Sequence, residues 1–244
     1  MIRHSLVIPA YNEARLLPRL LDSVDAARLR YAGGVQVIVA DNGSTDATAT
    51  LALRRGCEVA RIEKRCIAAA RNGGARLAQG ESLCFIDADA SIHRDTFRAI
   101  DEALARLDVV GGATGVYPER WSIGIAATWM VMMPIAWATG MDSGVVFCRR
   151  ADFESMGGYE EEREFAEDVV FMWALKRLGA KRGQKLARLT HVKAMASMRK
   201  FDRHGEWHCF TQPTSASRPR AALLPSGRSA RAIPESGPAS SAGC

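Results

Sequence analysis

The sequence alternates short apolar runs with stretches that have the spacing of amphipathic helices. Four runs that end in polar residues predict buried strands: 5–8, 35–40, 57–62 and 82–86. After the first run, Asn12-Glu13 opens a predicted helix with apolar residues on one face: Leu16, Leu17, Leu20, Leu21 and Val24. The alternation continues to residue 116, and it predicts an α/β fold with a doubly wound, mostly parallel sheet and helices on both faces. In such folds ligands bind beyond the carboxyl ends of the strands.

Two aspartates, Asp87 and Asp89, follow the fourth apolar run and are separated by one small residue. Carboxylates at the end of a buried strand open into the crevice beyond the sheet. Two hard oxygen donors there suit a divalent cation such as Mg²⁺ or Mn²⁺, which can in turn hold phosphate oxygens. An aspartate turn that caps the next helix explains the same spacing equally well. On these residues alone, the metal site and the turn are both open.

The ends of two other runs carry further polar and aromatic residues. The first run leads into Pro9-Ala10-Tyr11-Asn12-Glu13, and the second ends at Asp41. Together with the aspartate pair, these residues would hold a nucleoside diphosphate. The aromatic ring would stack on the base, a carboxylate would bind the base or the ribose, and the aspartate pair would bind a metal. No glycine-rich dinucleotide fingerprint and no P-loop motif follow the first run, which argues against a dinucleotide cofactor and excludes a P-loop enzyme.

Four segments in order carry a family resemblance: VIPAYNE at 7–13, DNGSTD at 41–46, ARNGG at 70–74 with AQGE at 78–81, and DAD at 87–89. They resemble the motifs of glycosyltransferase family 2, inverting enzymes with a Rossmann-like fold of GT-A type, over residues 2–178. The resemblance implies an activated donor, usually a uridine or guanosine diphosphate sugar. It implies that Asp87 lies near the ribose and that Asp89 of the Asp-x-Asp motif holds the metal. It also implies a set of nucleotide-sugar contacts: Pro9, Ala10, Tyr11, Glu13, Asp41 and Arg71.

Ordinary structural roles are open to several of these residues. Packing over the first helix accounts for Tyr11, and a charge favoured by the helix dipole accounts for Glu13. A turn explains Asp41, and a solvated helix face explains Arg71. The donor contacts therefore depend on the resemblance.

A fifth motif, Phe165-Ala166-Glu167-Asp168, precedes another amphipathic helix. The helix dipole alone favours two acids at such a position. The resemblance implies that Asp168 is the general base that takes the proton of the acceptor hydroxyl, with Glu167 as its neighbour or as an acceptor contact. It also implies a late histidine in the metal shell, for which His191 and His204 are the candidates and a structural histidine is the alternative. The segment 197–201 resembles the family's end segment, which closes over the diphosphate.

The stretch from Trp121 to Met141 contains no charged residue and is long enough to be scored as a membrane span. Asp89 and Asp168 lie on either side of it and must reach the same sugar, so a single crossing is excluded. Three tryptophans suit a membrane interface. Two alternatives follow: the segment 121–141 is buried under the acceptor site, or it makes peripheral contact with lipid.

The net charge and the cysteines indicate the partners and the compartment. The net charge of +6 is too small and too scattered to argue for nucleic acid. Six cysteines without a CxxC pair, and no signal peptide, indicate a cytoplasmic protein with reduced thiols.

From residue 211 the composition shifts to Ser, Pro, Ala, Arg and Gly, which predicts a disordered tail at 211–244. The predicted catalytic domain is 1–210, with a nucleotide-sugar half at about 1–115 and an acceptor half at about 116–210.

These inferences predict a metal-dependent inverting glycosyltransferase that moves one sugar from a nucleotide-diphosphate sugar to a hydroxyl acceptor. A lipid-linked or cell-envelope glycan is the acceptor class that we expect. The absence of the Gln-x-x-Arg-Trp motif of processive synthases favours transfer of a single sugar. The protein would lie in the cytoplasm, on the inner face of the membrane if 121–141 contacts lipid. The alternative is a catalytically impaired protein of the same fold that binds a nucleotide sugar or a partner.

Overall fold

The computed structural model describes residues 1–162 and 166–205. The predicted tail at 211–244, and Phe165 of the fifth motif, lie outside the described residues. Within those ranges the chain forms seven strands and eight helices. In chain order they are β1 (Ile2–Ala10), α1 (Leu17–Arg28), β2 (Gly34–Asp41), α2 (Thr48–Arg54), β3 (Glu58–Arg61), α3 (Ile67–Arg76), β4 (Ser82–Phe85), α4 (Thr96–Leu104), β5 (Val109–Pro118), α5 (Ile123–Thr139), β6 (Val146–Arg149), α6 (Arg150–Met156), α7 (Glu167–Lys181), β7 (Lys185–Ala196) and α8 (Arg199–His204).

The strands form one seven-stranded sheet with the order β3-β2-β1-β4-β6-β5-β7. Strands β3, β2, β1 and β4 pair in parallel, and so do β5 and β7. Strand β6 runs antiparallel to both of its neighbours, β4 and β5. The predicted α/β fold with a mostly parallel sheet is confirmed. The antiparallel direction of β6 was not predicted, because a short apolar segment such as 144–148 carries no signal of the direction in which it pairs.

Two hydrophobic clusters cover the two faces of the sheet. Along β1, Leu6 and Ile8 pack into one cluster with Phe97 of α4. Between them, Val7 points to the other face and packs into the second cluster with Phe171 of α7. Side chains that alternate between two apolar layers are typical of a strand buried on both faces. The helices therefore cover both faces of the sheet, as the alternating pattern predicts.

The first helix begins later than the sequence predicts. Asn12 does not open it, because its backbone is in the left-handed region at φ 54°. The helix starts at Leu17, with Pro18 in the first turn, where the missing N–H of proline costs no hydrogen bond. The six residues between β1 and α1, 11–16, form a loop that borders the crevice at the end of β1, so the displaced start leaves room for a site.

Helix α5 is continuous from Ile123 to Thr139 although Pro134 lies inside it. Ser122 caps its N-terminus through the N–H of Ile125, and Gly140 ends it at φ 72°. Of the two alternatives for this segment, burial under the acceptor site is wrong for most of the helix, because exposed apolar side chains occur along its length: Ile123, Met130, Val131 and Trp137. Among the helices that the structure describes, none combines the length and the hydropathy needed to cross a bilayer.

Candidate active site

A cavity of about 730 Å³ opens at the carboxyl ends of β1 and β4. This volume is within the range of roughly 300–1,000 Å³ that is usual for ligand pockets. Most of the predicted site residues line it: Pro9, Ala10, Tyr11, Glu13, Arg71, Asp87, Asp89 and Asp168. Its wall also contains residues that the sequence did not single out for the site: Asn42, Trp129, Tyr159 and Arg199. Asp41, Glu167 and His191 are not among the lining residues.

The loop after β1 is tied to the loop after β2. The side-chain oxygen of Asn12 accepts the backbone N–H of Thr45 at 2.8 Å and that of Asp46 at 3.3 Å. In return, the N–H of Asn12 donates to Ser44 Oγ at 3.0 Å. Asparagine tolerates the left-handed conformation that this loop requires. The two motifs that the sequence places at neighbouring strand ends therefore form one connected rim.

Tyr11 lies on this rim with 43% of its surface exposed. The guanidinium of Arg65, which precedes α3, lies over the Tyr11 ring at 4.1 Å from its centroid. This is a cation–π distance, and it shows that one face of the ring accepts a flat, positively charged group. The role of Tyr11 as a stacking surface for a base stays a prediction.

Asp41 at the end of β2 is buried behind the cavity wall. Its Oδ1 accepts the N–H of Ser44 at 3.0 Å, which is the contact of a turn-forming aspartate. The next residue, Asn42, lines the cavity instead. The Asn42 amide donates to the carbonyl oxygen of Lys64 at 2.7 Å. A direct donor contact by Asp41 stays a prediction.

Arg71 of α3 is only 7% exposed, so the alternative of a solvated helix face is wrong. Its Nη1 donates to Glu167 Oε1 at 2.7 Å, and its Nη2 donates to Asp87 Oδ1 at 3.1 Å. Burial by itself lowers the pKa of Arg71, but Tyr159 and the nearby carboxylates raise it above its ordinary value. The guanidinium is therefore a permanent positive charge between the end of β4 and the start of α7.

Tyr159 forms the wall of the cavity beside Arg71. Gly157 and Gly158 precede it with φ values of 79° and 76°, a backbone region that glycine adopts without strain. The N–H of Tyr159 donates to Asn72 Oδ1 at 2.8 Å, and its ring centroid lies 5.1 Å from the Arg71 guanidinium carbon. The Tyr159 hydroxyl is buried and makes no hydrogen bond within the described part of the chain. Burial raises its pKa well above the ordinary value for tyrosine.

Arg199, the first residue of α8, joins the late chain to the Asp-x-Asp motif. Its guanidinium donates to both carboxylate oxygens of Glu13, at 2.7 and 2.8 Å, and to Asp89 Oδ2 at 3.3 Å. The hydrogen bonds to Glu13 raise the pKa of Arg199. The only sequence signal for this contact was the resemblance of the segment 197–201 to a family end segment.

Asp168 lies in the first turn of α7 and faces the cavity. Its Oδ1 accepts the N–H of Val169 at 2.8 Å. The residue before the helix, Ala166, has a φ of 58°, a left-handed conformation that is strained for alanine. Asp89 and Asp168, which are far apart in sequence, therefore line the same cavity.

His191 does not join Asp87 and Asp89. It is exposed on β7, where the register with β5 shifts between Thr114 and Gly115. Over residues 1–162 and 166–205, no group of three His, Cys, Asp or Glu side chains could hold a metal ion. A metal at Asp89 would thus need ligands beyond the protein side chains that the structure describes.

An apolar surface lies next to the cavity. Trp129 of α5 lines the cavity and packs edge-on against Trp121, with ring centroids 5.9 Å apart. On the same helix, Met130 and Trp137 are 77% and 76% exposed. We call the exposed apolar residues of this helix, Ile123, Met130, Val131 and Trp137, the α5 face. One helix thus contributes both to the cavity wall and to an apolar surface.

Comparison with known proteins agrees with these observations. A family model described as Glycosyl transferase family 2 matches residues 5–202. The dolichyl-phosphate beta-glucosyltransferase of Drosophila melanogaster is 32% identical over 116 residues, which cover 42% of this chain and 36% of that protein. The chain therefore spans little more than a third of the length of this relative.

Two solved structures have a similar fold. The first is Staphylococcus aureus TarS 1–349 in complex with UDP, with a TM-score of 0.62, 18% identity, and coverage of 84% of this chain and 63% of that one. The second is the mannosyltransferase PcManGT from Pyrobaculum calidifontis with GDP-Man and Mn²⁺, with a TM-score of 0.60, 22% identity, and coverage of 79% and 56%. At these identities the likeness concerns the fold alone, and it confirms the predicted GT-A type. Together with the family model, which matches most of the sequence, it leads to one conclusion: the chain belongs to glycosyltransferase family 2.

Proposed function

We propose that the protein transfers one sugar from a nucleotide-diphosphate sugar to a hydroxyl acceptor, with inversion at the anomeric carbon. The observation that carries the proposal is that Asp89 and Asp168 line one cavity of about 730 Å³. A donor-binding carboxylate and a proton acceptor must reach the same sugar, and a cavity of this volume has room for a sugar. The structural neighbours with UDP and with GDP-Man support a nucleotide-sugar donor.

The donor's base and ribose would lie along the rim formed by the loops after β1 and β2. Tyr11 offers a partly exposed ring for stacking, and Pro9 and Ala10 form the floor beside it. Asn42 borders the same region, with Asp41 behind it. Arg71 and Asp87 would bound the ribose and sugar side.

The charges in the cavity favour a divalent cation. Among the residues that the structure describes, four carboxylates and two guanidinium groups line it: Glu13, Asp87, Asp89, Asp168, Arg71 and Arg199. A diphosphate that enters with its own negative charge therefore meets a net negative wall, which a cation would offset. Asp89, with Asp87 beside it, provides the hard oxygen ligands that Mg²⁺ or Mn²⁺ prefers. Such a cation would neutralise charge on the diphosphate. His191 is exposed on β7, and we do not include it among the metal ligands.

The transfer step requires one proton acceptor. The acceptor oxygen attacks the anomeric carbon, its proton passes to the carboxylate of Asp168, and the bond from that carbon to the phosphate oxygen breaks. The electron pair of that bond leaves with the diphosphate. Arg199, which holds Glu13 and touches Asp89, is close enough to the donor region to offer its guanidinium to the leaving diphosphate.

We expect the acceptor to be a lipid-linked or cell-envelope glycan, met at the inner face of the membrane. The α5 face supports this, because one helix combines exposed apolar side chains with Trp129 in the cavity wall. Exposed tryptophan and methionine next to a site are suited to the boundary between lipid and water. The protein would then be a cytoplasmic enzyme that binds peripherally to the membrane.

Donor turnover tests the proposal. The purified chain is incubated with UDP-glucose, UDP-GlcNAc or GDP-mannose, with Mn²⁺ or with EDTA, and released nucleoside diphosphate is measured. We expect release with at least one donor, in the presence of Mn²⁺ only. Asp168→Asn should lower the turnover roughly 100-fold or more while donor binding persists, because the acceptor proton has lost its base. Asp22→Asn, on the exposed surface of α1, is the control.

Two outcomes would contradict this assignment. Full turnover by Asp168→Asn would show that another group takes the proton. Metal-dependent binding of all three donors without any release would favour the alternative of a nucleotide-sugar-binding protein that has lost catalysis.

A further inference from the structure

Arg71 is unusual among the basic residues of this chain. Among the residues whose burial the structure describes, it is the only lysine or arginine that is buried. A buried guanidinium is costly unless carboxylates pair with it. Two do so here, and they come from distant parts of the chain: Asp87 follows β4, and Glu167 is the first residue of α7. The position of Arg71 therefore depends on contacts that join the donor side of the cavity to the start of α7.

The two carboxylates differ in their surroundings. The Glu167 side chain is 12% exposed, and it receives Arg71 Nη1 at 2.7 Å. The Asp87 side chain is 56% exposed, and its contact with Arg71 is longer, at 3.1 Å. Glu167 does not line the cavity. The Glu167 carboxylate is thus committed to Arg71, whereas Asp87 also faces the solvent of the crevice.

The start of α7 is held against local strain. Ala166 has a φ of 58°, and no side chain within residues 1–162 and 166–205 caps the helix at this end. A strained backbone persists only where its surroundings hold it in place. The ion pair of Glu167 with Arg71 is a side-chain contact that can do so, and the next residue is Asp168.

We infer that Arg71 and Glu167 form a positioning pair, which fixes the first turn of α7 so that the Asp168 carboxylate faces the donor end of the cavity. Glu167 then acts through Asp168, and it contacts neither the acceptor nor the donor. The inference rests on the proposed function, since it takes Asp168 as the base. It extends that function because Glu167 positions Asp168 and takes no part in the chemical step itself.

Two substitutions of Glu167 test the inference, with donor turnover as the readout. Glu167→Gln keeps a neutral oxygen for Arg71, whereas Glu167→Ala removes the contact. We expect Glu167→Ala to lower kcat at least ~10-fold, with the donor KM within about 2-fold of the wild type, because a misplaced base slows the chemical step without changing donor binding. Glu167→Gln should keep kcat within about 3-fold of the wild type, because its oxygen still anchors the turn. Glu102→Ala, exposed on α4, is the matched control.

Each contrary result overturns the inference in a different way. If Glu167→Gln is as inactive as Glu167→Ala at an unchanged Tm, Glu167 takes part in the chemistry itself. If Glu167→Ala lowers Tm but keeps kcat when assayed well below that Tm, the pair serves the fold alone. Should Glu167→Ala not fold, the kcat of Glu167→Gln decides. If the wild type is inactive with all three donors, the proposed function is wrong and the inference falls with it. If the wild type is active, a contrary result with the Glu167 variants contradicts only the positioning role of the pair.

Discussion

At the residue scale, the site contains polar groups that the fold alone does not satisfy. The hydroxyl of Tyr159 and the Nε of Arg71 are both buried and make no hydrogen bond within residues 1–162 and 166–205. Most buried polar groups in folded proteins are paired, so such exceptions call for a reason. Both groups lie beside the carboxylates that we assign to donor binding and catalysis. We expect each of these unpaired groups to cost stability in the protein without a bound donor.

Tyr159→Phe tests this view of a single residue. Removing an unpaired buried hydroxyl should leave the free energy of unfolding unchanged or raise it by about 1 kcal/mol, because the phenylalanine ring keeps the packing. Ser5→Ala is the control, since the buried Ser5 hydroxyl donates to Gln36 Oε1 at 2.6 Å and its loss should cost about 1 kcal/mol. Urea unfolding of both variants provides the comparison. Equal destabilisation of the two would show that the Tyr159 hydroxyl is paired in solution.

At the scale of elements, the strands were more predictable than the helix starts. The runs at 35–40 and 82–86 became β2 and β4 with shifts of about one residue at their ends, because a run buried on both faces is apolar throughout. Helix α1 was misplaced because the loop before it contains residues that also suit a helix start. The direction of β6 could not be predicted, since it depends on pairing with strands distant in sequence.

Separation along the sequence also explains which parts of the site were predicted. Asp87 and Asp89 were found because strand ends in an α/β fold converge on one edge of the sheet. The partners of Arg71 and Arg199 were not, because these contacts span 96 and 186 residues and leave no local pattern. A lone basic residue in a helix is usually solvated, so nothing in the sequence marked Arg71 as buried.

Helix α5 carries the prediction that belongs to this scale. If the α5 face contacts lipid, the protein should float with vesicles of phosphatidylglycerol and phosphatidylcholine at low salt. Met130→Glu and Trp137→Glu should each reduce the floated fraction several-fold, because a charge disfavours insertion into the interface. Leu107→Glu is the control, since Leu107 is 91% exposed and lies outside α5. No flotation of the wild type, or equal loss with the control, would remove the lipid proposal.

At the scale of the whole molecule, His4 joins several elements in the core. It is fully buried on β1, its Nδ1 lies 2.5 Å from Ser82 Oγ on β4, and its ring packs against Tyr31 and Phe97. Burial lowers the pKa of His4 from 6.5 to about 4. Protonation therefore favours the unfolded chain over the folded one in the pH range between these two values.

This burial predicts how stability depends on pH. Because the folded pKa is lower than the unfolded one, the contribution of His4 is fully present above about pH 6.5 and is lost as the pH falls toward 4. We expect the free energy of unfolding to decrease by about 2 kcal/mol between pH 7.5 and pH 5. Urea unfolding at the two pH values measures it. His4→Leu should abolish this part of the decrease, and exposed His191→Leu should not; an unchanged slope in His4→Leu would contradict the prediction.

The antiparallel strand β6 has a consequence for how this protein can be made and divided. During synthesis, β4 emerges long before β6, so one edge of β4 has no neighbour until the ribosome has passed Val146. A fragment that stops near residue 115 would keep that edge open, and open edges recruit other chains. We therefore expect that residues 1–115 do not fold as a separate module, and that chimaeras with related transferases must exchange β4 and β6 together.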